Sequence, residues 1–195
     1  MDTDSLPVEL PSIDLLGGQQ RSLIRAAAAL AAYCEHVEHN EPHQVADAAA
    51  AGDQLRQIAS TLAHAAGVSL LESYRARITE IEAASIHSAT AIHGIADLAG
   101  ADALRHETTW RQVQVAQLIH DRRFHPDVFG LSKLDQLRHY TLHVTKLAGL
   151  LVDADDDAGW STFVQCRLPD LAVFGVKLAT VCNHILLDEP VDGTS

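Results

Sequence analysis

Four side chains able to do chemistry fall on one stripe of one helix. They are Gln136, His139, His143 and Lys146, with Arg138 at the edge; spacings of three and four residues place them on a single face. Imidazole, ammonium and guanidinium groups gathered in this way can neutralise an anion, and His139 or His143 can act as a general base. A second group precedes the helix in HDRRFHPDV, namely His120, Asp121, His125 and Asp127. His139 and His143 at i,i+4 are a competent transition-metal pair, which His120, Asp121, His125 or Asp127 would complete from the loop. The competing expectation is structural: Asp170 pairs with Arg138 or Lys146, and the histidines donate to backbone carbonyls or carboxylates, because buried polar groups need partners.

Charge sets this region apart. The 195-residue chain carries 26 Asp and Glu against 14 Lys and Arg, for a net charge of −12. Between Arg105 and Lys146, seven bases face four acids, so that segment is +3. A positive zone within an acidic protein suits a small anion, such as a phosphorylated small molecule or a nucleotide. It does not suit a nucleic-acid polymer, which the rest of the surface would repel.

Elements must position these groups. Pro126 disfavours helical geometry at His125, so the incoming helix ends at Arg123; Ser132 is an N-cap for the next, with Asp135 in its first turn. Leu137, Tyr140, Val144, Leu147 and Leu151 give that helix an apolar face. Earlier, helices are expected over Gln19–His39, over Gln44–Ala66 with Gly67 as a stop, and from Ser69 towards His87. Residues 84–103, rich in Ala and Gly, are the softest place for a subdomain boundary. Trp110, Val113, Gln117 and His120 share one side of the following helix, and Trp160–Leu187 forms the last one, bent or split at Pro169. The apolarity of that last rod places it at the centre. Asp170, Lys177 and His184, seven apart, thread it with a thin polar stripe.

The fold class expected is therefore all-α, a helical bundle of about five or six helices. Residues 1–18 read as a flexible arm, 19–187 as one helical domain and 188–195 as a polar tail. Cys34, Cys166 and Cys182, odd in number and without C-x-x-C spacing, read as reduced core residues of a cytoplasmic protein. The acidic, proline-containing N-terminus is not a targeting peptide, and Leu171–Leu187 is too short and too interrupted to cross a membrane. Phosphate-cradling, dinucleotide-binding and nucleophile-elbow motifs are absent. A non-enzymatic alternative is a scaffold or homodimer that uses the apolar C-terminal helix as its interface.

HDRRFHPDVFGL, QLRHYTLHVTKL and LPDLAVFGVKLA together resemble an uncharacterised group of actinobacterial helical proteins over about Trp110 to Leu187. The same helices resemble the MazG-like all-α nucleotide pyrophosphohydrolases, in which E-E-x-x-E and E-x-x-D motifs hold magnesium on a triphosphate. That resemblance places the first motif near Thr145–Gly149 and the second on Arg167–Asp170, where only Asp170 matches. Magnesium needs hard oxygen ligands, and Lys146 and Arg167 stand where acids are required. What the resemblance implies is a related bundle without magnesium chemistry, whose pocket of His139, His143, Lys146, Arg167 and Asp170, with Arg138 beside it, neutralises phosphate directly.

Overall fold

A computed structural model describes residues 9–85 and 109–182, the last four of the first stretch by backbone alone. Every regular element in it is an α-helix. Eight lie among the described residues: α1 Ile13–Glu38, α2 Val45–Ala65, α3 Leu70–Ser85, α4 Trp110–Phe124, α5 Pro126–Phe129, α6 Lys133–Val152, α7 Asp157–Cys166 and α8 Leu168–Val181. This exceeds the five or six expected for two local reasons. Val128 and its neighbours form a one-turn helix after Pro126, and Pro169 divides the last rod into α7 and α8. The soft boundary at 84–103, the 188–195 tail and His184 lie largely or wholly outside the described residues.

The helix ends follow their side chains. Ser132 accepts from the Asp135 amide at 3.1 Å, Asp156 from the Gly159 amide at 2.7 Å, and Thr109 closes a reciprocal capping box with Gln112. Ser12 caps α1, so helix replaces the flexible arm from Ile13 onward and buries Leu16. Gly17 and Gly18 lie inside this helix, where the cap and the burial of Leu16 outweigh their weak helix propensity.

The expected apolar faces form. Leu137, Tyr140, Val144, Leu147 and Leu151 are all buried, as are Trp110, Val113, Gln117 and His120. α8 runs through the middle, packed on α2, α3, α4, α6 and α7. Phe174 and its neighbours along Leu168–Val181 are therefore core within this chain. At the α2–α8 crossing two glycines meet: a Cβ on Gly175 would stand 2.9 Å from the Gly52 carbonyl oxygen. Such close backbone approach is what sets the depth at which α8 sits. Cys34 and Cys182 are buried, and burial pushes the Cys182 thiol up to about 11. Cys166 is exposed, against expectation, because it ends α7 on the solvent side. No described helix is long and apolar enough to cross a membrane.

Candidate functional site

α4 and α8 build a buried polar cluster from residues that are ordinarily solvated. Lys177 Nζ lies 2.9 Å from Asp121 Oδ1, with the two side chains only 11% and 9% exposed. Gln117 Nε2 donates to the same oxygen at 2.8 Å, and Tyr74 donates its hydroxyl to Gln117 Oε1 at 3.2 Å. The ammonium also sits 5.7 Å from the centres of the Tyr140 and Phe174 rings, so both its charge and its stem are satisfied. This chain from α3 through α4 to α8 fixes the Asp121 carboxylate.

His120 and His125 flank that carboxylate. Residues at i, i+1 and i+5 do not share a face of a regular helix. Pro126 makes the difference by ending α4, which gives His125 φ −133° and ψ 50° and folds it back over the last turn. The His125 amide donates to the Asp121 carbonyl at 3.0 Å, and the His120 and His125 rings stand 5.6 Å apart. One ligand atom from each of His120, Asp121 and His125 lies within 4.8 Å of the other two.

The pocket beside this cluster is bounded by α4, α5, α6 and α8 and encloses about 190 Å³. Arg122, Lys133 and Lys177 contribute three cations to its lining and Asp121 the single carboxylate. Lys177 is neutralised by Asp121, whereas Arg122 lies over the Phe129 ring at 5.2 Å and, like Lys133, meets no carboxylate among the described residues. Gln136 closes one wall by donating to the Phe129 and Leu131 carbonyls at 3.0 and 2.9 Å.

The six anion-site candidates from the sequence do not line this pocket. Arg138 turns toward α1, 2.7 Å from Glu38 and 3.3 Å from Asp135. Asp170 pairs with Arg77 of α3 at 2.9 Å and with Arg167 at 3.9 Å, rather than with Arg138 or Lys146. His139 and His143 contact each other, ring centres 4.7 Å apart, and His143 stacks on Phe174 at 4.7 Å. Lys146 is exposed. His143, Lys146 and Asp170 are near enough to interact electrostatically, but Arg138 faces elsewhere because one residue along a helix is a 100° rotation. Of the candidate metal ligands, His120, Asp121 and His125 gather and His139 and His143 stand apart.

Sequence reading passed over Arg77, Arg122, Lys133 and Lys177 as site groups. The usable signals were Gln117, a polar residue on the buried face of α4, and Lys177, a lone cation on an apolar rod; each demands a partner across the core.

Two imidazoles are held toward their neutral forms. Burial lowers the affinity of His143 for a proton, aided by His139, Lys177 and Lys146 and opposed by Asp170. Burial does the same at His125, aided by Lys177 and opposed by Asp121. Because the unfolded chain then binds protons first, stability is complete above the ordinary histidine value of about 6.5 and declines as pH falls through it toward the lowered folded values. Thermal melts should show a lower Tm at pH 5.5 than at pH 7.5. His143→Gln should flatten that slope; a slope unchanged in the variant would remove His143 from the account.

No family model, curated protein or solved structure matches this chain.

Proposed function

We propose that this protein binds a small phosphorylated molecule in the pocket between α4, α5, α6 and α8, using cationic side chains and no magnesium. The observation that carries this reading is the lining itself: three cations and one carboxylate around about 190 Å³, in a chain of net charge −12. With Lys177 and Asp121 cancelling, Arg122 and Lys133 leave the pocket about +2, which favours a divalent anion. A volume below the roughly 300–1,000 Å³ of drug-sized sites suits a phosphate group more than a whole nucleotide. The reading keeps the expected degenerate likeness to MazG-like enzymes and moves the anion to other residues. Asp170, the one acid matching their second motif, has Arg77 and Arg167 as its partners. A magnesium ion there would meet two guanidinium groups instead of carboxylates.

Isothermal titration with inorganic phosphate, pyrophosphate and a nucleoside monophosphate tests this proposal. Heat is expected with at least one of them, weakened by about tenfold or more in Lys133→Glu and in Arg122→Glu, since each reversal removes a charge-assisted contact of about 1.5–3 kcal/mol. Both positions are exposed, so folding should survive. Equal binding by wild type and both variants would exclude this pocket, and no heat with any of the three anions would exclude the reading.

A further inference from the structure

We propose that His120, Asp121 and His125 form a binding site for one first-row divalent transition metal. The inference is independent of the anion reading. It rests on the break at Pro126, which converts a scattered HDRRFH segment into a cluster of two imidazoles and a carboxylate. That donor set is borderline in hardness and suits zinc or ferrous ion more than magnesium. Three protein ligands also leave coordination positions for water or an anion.

Two further features favour a site over chance proximity. His120 and Asp121 are 2% and 7% exposed, so the donors are already largely stripped of water. The carboxylate is also oriented in advance: Gln117 and Lys177 both bond Oδ1, and no described residue donates to Oδ2. Outer partners of this kind hold a metal-ligating carboxylate in place. The donor atoms lie within 4.8 Å of one another, against about 3.3 Å between ligands around a tetrahedral zinc ion. Side-chain rotation at His125, which is only half-buried, can close that difference.

Lys177 opposes the metal. Its ammonium, on the same carboxylate, repels a second cation, so the site is weaker than the bare ligand set would be. Removing that charge should therefore strengthen metal binding even as it weakens the metal-free fold. A purely structural ion pair would behave differently, since loss of Lys177 would destabilise the fold with no response to metal.

The test uses the full chain without a histidine tag, treated with chelator and titrated with zinc chloride in phosphate-free, non-coordinating buffer; absorption spectra with cobalt(II) report the ligands. One zinc per chain is expected. Affinity should fall at least about tenfold in His125→Gln and stay unchanged in His139→Gln. In Lys177→Met, zinc should raise Tm more than it does in the wild type. Substoichiometric zinc, equal losses in the His125 and His139 variants, or a Lys177→Met melt indifferent to zinc would each overturn the assignment. Because no phosphate is present, failure here leaves the anion pocket standing, and failure of the anion titration leaves this site standing.

Discussion

Gly175→Val should destabilise the bundle by about 3 kcal/mol or more, and Gly175→Ala by less but in the same direction. At this position the α2 and α8 backbones nearly touch. The first atom added to Gly175 meets the Gly52 carbonyl oxygen at 2.9 Å and the Arg56 amide nitrogen at 3.3 Å, and neither is the free end of a flexible side chain. Replacing a helical glycine by alanine ordinarily gains about 1 kcal/mol in propensity. Overpacking costs about 1–3 kcal/mol, so the clash prevails. Gly149 in α6 provides the control, because nothing lies within 4 Å of its added Cβ. There the propensity term acts alone, and Gly149→Ala should raise Tm by about 2–4 °C. Urea or thermal melts of the three variants decide the matter; a stable Gly175→Val protein would mean that α8 does not lie against α2 as described.

A loss of similar size is expected when the buried pair between α4 and α8 is broken on one side only. Lys177→Met leaves the Asp121 carboxylate without its ammonium, and Asp121→Leu leaves the ammonium among Tyr140 and Phe174 without its carboxylate. Each single variant should cost about 3–5 kcal/mol, the usual consequence of an uncompensated buried charge. The double variant Asp121→Leu/Lys177→Met should be far milder than the sum of the two, because it removes both desolvation penalties and leaves apolar groups of comparable volume. Chemical denaturation in the presence of a chelator, which keeps metal out of the comparison, measures the coupling. Additive single losses would mean that the pair is weakly coupled, and the buried network would then rest on Gln117 and Tyr74.

These effects explain why a polar group was worth placing in the core at all. Tyr74, Gln117, Asp121 and Lys177 connect α3, α4 and α8 through bonds of 2.8–3.2 Å, and each member satisfies the next. A network of this sort adds specificity to packing dominated by Ala and Leu, which interdigitate in many near-equivalent ways. It also leaves His120, His125 and the cationic pocket grouped around one carboxylate. Both proposals meet at Asp121, but the anion test reads Arg122 and Lys133 and the metal test reads His125, so they separate experimentally.

Much was determined by the order of residues alone. The all-helical class, the Ser132 cap, the break at Pro126, the apolar face from Leu137 to Leu151 and the central place of α8 follow from period, caps and propensity, which act within a few residues. Facing groups were another matter. His139, His143 and Lys146 share a stripe as their spacing requires, yet the partners that Arg138 and Asp170 find on other helices proved to be Glu38 and Arg77, about a hundred residues away in the chain. Helix periodicity tells which side chains point the same way and says nothing about which helix lies opposite. Only the packing of α8 against α3, α4 and α6 decided that Lys177 meets Asp121, and only the backbone turn at His125 brought the second imidazole to that carboxylate.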